Sequence, residues 1–451
     1  MLPEGDIALF TDFYELTMAA AYFNSNQKDT IGLFEMFVRK LPKNRSYLVA
    51  AGLEQVIHFL TNFRFKHDHI EYLRNQKVFS NISDRFFEYL SNLKFTGNLW
   101  AIPEGSIVFP NEPLLRIEAP IIEGQLVETY LLSVVNFQTL IASKASRVVE
   151  AAKGRYVIEF GSRRAHGPNA GILAARASII GGCQGTSNTY AGYKMRIPPS
   201  GTMAHSFVMN FSSEQEAFQA FCDSFPRSTL LVDTYDPIRA VKNTLQKGLE
   251  FEAVRIDSGD LLSISKEIRM ILDEAGHKSA KIMATGDLNE HIIDEIISKQ
   301  APIDYFGVGT ELSTSSDSPA LNGVYKLVGV RIKSNNLKGN KYQTIYKRKK
   351  SPGKENFPGP KQVHRLIRDH TLVTDLVTLD DEKVSGSYPM LKKYIEDGKV
   401  TETLPTIFEI RKWCRNQVSV LPEQFRMLDY VPESLPVAIS EKLRMTSNIS
   451  N

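Results

Sequence analysis

From about residue 153 to residue 310 the chain alternates short apolar runs with longer polar, amphipathic stretches. The runs are Tyr156–Phe160, Ser178–Cys183, Gly201–Phe207, Leu230–Asp233, Ala253–Asp257, Lys281–Thr285 and Asp304–Gly309. Most have the length of a buried strand, about 4–6 residues. Between them, stretches such as Ser213–Ser224 and Asp260–Gly276 carry helical spacing, the first opened by Ser213 and Glu216 at capping-box positions. Strand and helix in alternation predict a parallel sheet with covering helices. Seven similar units favour barrel-like closure over an open doubly wound sheet. The link Gln184–Ser200 is short and broken by Gly and Pro, so the barrel is expected to be irregular there.

The flanks are different in kind. Residues 8–23 read as an amphipathic helix with Thr11 or Asp12 as N-cap and with Phe13 and Tyr14 as core aromatics. Leu33–Arg39 alternates like a strand and runs into the turn Leu41–Asn44. Residues 46–62 and 68–92 look helical, and Asn98–Pro120 is a set of short β runs broken by Pro and Gly. Gly124–Ala152 predicts one long helix joining this module to the central one. Residues 333–364, rich in Lys, Asn and Gly, read as a solvated loop. From Val363 strands and helices resume, and the last ten residues or so look loose.

Composition narrows the class. A chain of 451 residues, 42% hydrophobic and 23% charged, suits an ordinary globular protein of two domains. A formal charge of +3 leaves no electrostatic footprint for nucleic acid. Cys183, Cys222 and Cys414 form no CxxC pair, which argues against a disulfide framework or a zinc site. The opening residues Met1–Asp6 lack the features of a signal peptide, and no apolar run reaches the length of a membrane span. A cytoplasmic location without a membrane partner is the expectation.

Reactive groups gather where parallel strands end. The first run ends in Glu159-Phe160-Gly-Ser-Arg163-Arg164 and the second leads to Gly185-Thr186-Ser187-Asn188. The third carries His205, the fourth Asp233-Thr-Tyr-Asp236, and the fifth Arg255-Ile-Asp257-Ser-Gly-Asp260. The sixth ends in Thr285-Gly286-Asp287 and the seventh in Gly307-Val-Gly309-Thr310. Each alone has a plain reading: Asp257 or Asp287 as a helix cap, GxGT as a turn, His205 as a structural residue. Together, two arginines, several aspartates, a histidine and two glycine turns describe a polyanion site, with a following helix adding its positive end and Mg²⁺ as the expected ion.

The ordered stretches TDFYELTMAAAYF, FVRKLP, EFGSRRAHGPNAG, GTSNTYAG, GTMAHSF, DTYDP, RIDSGD, ATGDLNE and FGVGTELSTSSD, with PGPKQVHR further on, resemble the nicotinate phosphoribosyltransferase family. The resemblance implies a type II phosphoribosyltransferase: an irregular α/β barrel of parallel strands plus an α/β sandwich domain. It gives an N-terminal sandwich over 1–135 that includes the β module 98–120, a barrel over 136–330, and a segment 331–451 packing back on the N-terminal domain. It implies a homodimer with shared active sites. It implies a reaction joining nicotinate to 5-phosphoribosyl 1-diphosphate, coupled to ATP hydrolysis through phosphorylation of His205, as the first step of NAD salvage from nicotinate (the Preiss–Handler route), classified with the ligases. A phosphohistidine would add about 1.5–2 negative charges beside the diphosphate site.

Residue by residue, the resemblance implies that Phe160 stacks on one face of the pyridine ring and Tyr14 of a second copy on the other. Arg163 and Arg255 would line the base and ribose site, and Asp257 would hold ribose hydroxyls or Mg²⁺. Gly286, Asp287, Gly309 and Thr310 would surround the 5′-phosphate. Arg39, Lys326 and Lys361 would lie near the diphosphate, which makes part of the loop 346–361 a candidate cover over substrate. Thr186 and Ser187 are substrate-binding candidates, and the choice of base rests on the position of Ser187. Nicotinamide-specific relatives place an aspartate where Ser187 stands, and a carboxylate there would repel nicotinate, whereas neutral groups with Arg163 favour an acid. Alternatives are a quinolinate or nicotinamide phosphoribosyltransferase, and a catalytically silent relative acting as a binding module.

Overall fold

A computed structural model describes residues 7–333, 342–352, 354–430, 432 and 434–449. The opening segment Met1–Asp6 and residues 334–341 of the basic loop therefore lie outside the described residues. The chain forms two compact units: one runs to Leu140 and resumes at Ala320, and the other is Ile141–Pro319. The first division falls inside the helix Glu128–Ala151.

The unit 141–319 holds a six-stranded parallel sheet curled into a half-barrel. Its strand order is Gly185–Thr186, Tyr156–Glu159, Tyr305–Val308, Lys281–Ala284, Ala253–Ile256, Thr229–Leu231. Helices follow most strands, and their caps account for several of the polar residues in the motifs. Asp236 accepts from Ile238 N and Arg239 N, Asp260 from Leu262 N and Ser263 N, and Asn289 from His291 N and Ile292 N. Ser213 accepts from Glu216 N, as its position predicted. Asp257 and Asp287 cap nothing here.

Two of the seven expected strands are absent from this sheet. Ser178–Ile180 closes the helix Pro168–Ile180, because a short buried apolar run has no periodicity to separate helix from strand. The run Gly201–Phe207 is not a strand either, and His205 is the first residue of a short helix, His205–Met209. Pro198 and Pro199 have no N–H to extend a ladder, so this segment meets the sheet edge through one isolated bridge, Thr186 with Pro199.

The other unit is built mainly on antiparallel pairing, with one parallel pair, Thr371–Leu379 with Val437–Ile439. Its seven-stranded sheet has the order Tyr342–Tyr346, Gly323–Lys333, Ile31–Val38, Pro113–Pro120, Asn98–Ala101, Lys392–Glu396, Lys399–Val400. A four-stranded sheet pairs Lys361–Arg368 with Thr371–Leu379 and adds Tyr388–Pro389 and Val437–Ile439. One apolar core joins both ends of the sequence, with Phe34 stacked on Tyr325 at 5.0 Å.

Several expectations shift here. Residues 46–62 open with the short strand Leu48–Val49 before the helix Leu53–Thr61. The stretch 68–92 is two helices, His67–Arg74 and Asp84–Ser91, and 124–152 breaks at Val127 into Ile121–Leu126 and Glu128–Ala151. Strand Tyr342–Tyr346 lies in what read as a loop, and the helix Glu441–Ile449 orders the end that looked loose, with Leu443 buried. Phe13 and Tyr14 are not core residues: they are 45% and 50% exposed, and the helix Phe13–Asn24 buries Glu15, Leu16, Ala19 and Ala20 instead.

Candidate active site

The mouth of the half-barrel is organised by Arg255, the third residue of the strand Ala253–Ile256. Its guanidinium donates Nε–H to Thr285 Oγ1 at 3.0 Å, and Nη1–H to Thr202 Oγ1 at 2.9 Å and to Met203 O at 3.1 Å. Nη2–H goes to Asp257 Oδ1 at 3.0 Å. One rigid fork thus ties two neighbouring strand ends to the segment that leads into His205. Asp257 also accepts from the Thr285 hydroxyl. Burial opposes ionisation of Asp257, but the Thr285 hydroxyl and Arg255 outweigh it and hold the carboxyl below its ordinary range.

His205 stands between two partners. Its Nδ1 is 3.1 Å from Thr234 Oγ1 and its Nε2 is 3.6 Å from Asp257 Oδ2. The imidazole is 40% exposed and Asp257 30%, so both are held and both are open to solvent. Asp233, one residue before Thr234, accepts from Asp257 N at 2.9 Å and from Ser258 Oγ at 2.7 Å through Oδ2. Its Oδ1 is buried without a hydrogen-bond partner.

The glycine turns lie against this centre. Gly286 has φ +87°, and a Cβ there would fall 1.9 Å from Asp257 O, so only glycine fits both the conformation and the contact. Gly307 meets a similar demand: a Cβ would come within 2.6 Å of both the Phe160 ring and the Thr285 methyl. Phe160, Thr285, Asp257 and His205 therefore form one contiguous line, and Phe160 is half-buried. Asp287 and Thr310 are exposed at their turns. The expected helix-end contribution is smaller than the sequence suggested. Asn289 already takes the N–H groups of His291 and Ile292 in the first turn of Glu290–Ser298, and Thr310–Thr314 is only five residues long.

Beside Phe160 a hydrogen-bonded floor is built from Glu159, which is fully buried. Its carboxyl accepts Gly161 N and Thr186 Oγ1, both at 2.5 Å, and its own carbonyl accepts Ser187 N at 2.8 Å. Burial pushes this carboxyl above its ordinary range, and the two donors partly offset that. Asn188 N donates to Thr186 Oγ1 at 3.0 Å, and Asn188 Nδ2 to Ser162 Oγ at 3.0 Å. Ser187 and Arg163 are exposed at the edge of this floor.

The remaining candidates belong to the other unit. Tyr14 is exposed on its helix. Arg39 donates Nη2–H to Lys354 O at 3.2 Å. Lys326 is half-buried and donates to Tyr325 O at 2.8 Å, with burial lowering its pKa. Lys361 is buried, its ammonium 2.6 Å from Glu35 Oε2 and donating to Phe357 O and Gly359 O. That ammonium is consumed internally.

Sequence reasoning gave no role to Thr202, Thr234, Asp233, Thr285 or Glu159, although the geometry places all five at the mouth or under it. The usable signal was the doubled Asp in Asp233-Thr-Tyr-Asp236: one of the pair is a cap, which leaves the other for the site.

Models of known families match along the sequence. The nicotinate phosphoribosyltransferase N-terminal domain matches residues 9–136, the nicotinate phosphoribosyltransferase family residues 156–375, and the C-terminal domain of that family residues 387–447. The chain is 43% identical over 443 residues to nicotinate phosphoribosyltransferase pncB2 of Mycobacterium tuberculosis, covering 97% of this chain and 92% of that one. It is 37% identical over 469 residues to nicotinate phosphoribosyltransferase of Bacillus subtilis, covering 97% and 94%. The crystal structure of human nicotinic acid phosphoribosyltransferase superposes with a TM-score of 0.84 at 27% identity, covering 97% and 99%.

Proposed function

The chain belongs to the nicotinate phosphoribosyltransferase family, and from that premise we propose that it joins nicotinate to 5-phosphoribosyl 1-diphosphate at the rim around His205. The products are nicotinate mononucleotide and diphosphate, with ATP hydrolysis coupled through a phosphohistidine. The observation that carries this reading is the direct chain of contacts from His205 through Asp257 to the Gly286 turn. An imidazole in reach of an anion pocket is what the coupling requires.

Phe160 is the platform for the pyridine ring, with Arg163 at the edge for its carboxylate. The carboxylate of Glu159, next to Phe160 in the chain, is turned inward onto Gly161 and Thr186 and does not meet an acidic base. Arg255 and Asp257 face the ribose, and the turns at Gly286–Asp287 and Gly309–Thr310 take the 5′-phosphate. A carboxylate only accepts, so Asp257 favours the proton on Nε2 of His205 and leaves the Nδ1 lone pair as nucleophile. Nδ1 forms the bond to the γ-phosphorus of ATP while the bond to the β–γ bridging oxygen breaks, and ADP leaves with that electron pair. The imidazolium so formed stays beside Asp257, and water later releases phosphate. The coupling works by differential affinity and passes no phosphate to the substrate.

No group of three or more His, Cys, Asp or Glu among the described residues could hold a metal on its own. Asp257 with the unpartnered Oδ1 of Asp233 fits Mg²⁺ bound mainly through substrate phosphates. That ion would neutralise charge on the diphosphate. The exposed Tyr14 supports a homodimer in which a second copy closes the base site. No helix of the described residues is long and apolar enough to cross a membrane, and we take the cytoplasm as the location.

The test is a product assay with nicotinate, nicotinamide and quinolinate side by side, with and without ATP. Mononucleotide from nicotinate, accelerated by ATP, is the expected result. Product from quinolinate or nicotinamide alone would overturn the reading.

A further inference from the structure

Lys144, on the helix Glu128–Ala151, is only 1% exposed and lies among three carboxylates. Its Nζ is 2.6 Å from Glu290 Oε2, 3.0 Å from Asp317 Oδ1 and 3.7 Å from Glu311 Oε2. One helical turn on, Arg147 Nε–H donates to Glu290 Oε1 at 3.1 Å. These carboxylates belong to the two glycine turns. Glu290 opens the helix directly after the turn at Gly286–Asp287, and Glu311 follows Thr310 at the other turn, whose segment Asp317 closes.

We propose that Lys144 is a positioning residue that locks the two turns into one geometry and so sets the affinity for the 5′-phosphate of the ribosyl substrate. The proposal rests on the reading of those turns as a phosphate site. At the turns themselves Asp287 and Thr310 are exposed, and Gly309 has no side chain to cap the short helix after it. Glu311 and Asp317 are about one-third exposed, so the ammonium reaches from the interior to the segment that must hold still. Burial opposes ionisation of Glu290, but Lys144 and Arg147 outweigh it and keep the carboxyl below its usual range. Without the ammonium, the three carboxylates would lose the cation they share, with Glu290 still held by Arg147. Their mutual repulsion would part the turns and set net negative charge behind a dianionic phosphate.

The experiment compares Lys144→Met, Lys144→Arg and the double variant Glu311→Gln/Asp317→Asn with wild type. It reads KM for nicotinate, KM for 5-phosphoribosyl 1-diphosphate, inhibition by ribose 5-phosphate and the melting curve. Lys144→Met is expected to raise both phosphate-dependent constants about 10-fold or more, with KM for nicotinate changed less than about 2-fold, and Lys144→Arg to restore most of the loss. The double variant leaves the buried Lys144–Glu290 pair intact and is expected to move the same two constants, which keeps the test open if Lys144→Met does not fold. Equal rises in both KM values, or a lowered melting temperature with unchanged constants, would overturn the role. Thr310→Ala separates the premise: if it leaves ribose 5-phosphate inhibition untouched, the phosphate reading itself fails. If it weakens inhibition while the Lys144 and double variants do not, only the role of Lys144 fails.

Discussion

The interior of the antiparallel unit and the mouth of the half-barrel treat charge in opposite ways. In the antiparallel unit, Lys361 is cancelled inside by Glu35 at 2.6 Å, and Arg365 by Asp375 at 2.5 Å, with Gln417 and Ile107 O taking further N–H groups. Arg365 and Asp375 are 1% and 0% exposed. At the mouth of the half-barrel, Arg255, Asp257 and His205 are 11%, 30% and 40% exposed, each fixed by neighbours yet open on one side. A buried charge with every bond taken organises the fold; a held charge with one free face can meet a substrate. In sequence both look the same, a basic residue beside strand-forming neighbours.

The sharpest way to break this contrast is to remove one charge of each kind. Arg365→Met strands Asp375 and pushes against Glu112, whose carboxyl burial and Asp375 already hold well above the ordinary range. A loss of about 3–5 kcal/mol in denaturant unfolding is expected. If Arg365→Met unfolds like wild type, the buried pairs are not what organises that unit. His205→Ala should do the reverse: ATP hydrolysis falls about 10³-fold or more while unfolding shifts by less than about 0.5 kcal/mol. Some ATP-independent synthesis should remain.

Asp257→Asn sharpens the comparison at intermediate size. The folded pKa of Asp257 is depressed, so its contribution is present above the unfolded carboxylate range and is lost as pH falls through the folded value. The variant is expected to lose activity across the neutral range, about 10²-fold, and to lose the acid limb that this group supplies. An acid limb unchanged in Asp257→Asn would assign it to another group. The smallest effect concerns Glu214, whose carboxyl is pushed up to about 7 by burial and by Asp236 and Asp233, against Arg239. Its folded pKa is raised, so its contribution is full below the unfolded carboxyl range and declines as pH rises toward about 7. Glu214→Gln should flatten the stability profile over that interval by up to ~1 kcal/mol, read from melting at stepped pH.

Much of the half-barrel was legible because strand ends repeat one grammar, an apolar run followed by Gly, Asp or Arg. Arg255, Asp257, Gly286 and Phe160 come together as that grammar implied. His205 was found by its motif and misplaced by periodicity, since Pro198 and Pro199 stop the ladder before it. Thr202, Thr234 and Thr285 carried no mark of their roles, because a hydroxyl looks alike in sequence whether it meets solvent, an imidazole or a guanidinium. Lys361 shows the converse: its partner Glu35 lies 326 positions earlier, a distance over which pattern carries no information.

Labelled ATP reads directly whether the imidazole of His205 takes a phosphoryl group beside the anion pocket. Wild-type protein incubated with γ-labelled ATP and Mg²⁺ should acquire an acid-labile, base-stable label that is absent from His205→Ala. Label retained in His205→Ala, or wild-type protein that makes nicotinate mononucleotide at full ATP-stimulated rate with no label, would contradict that transfer.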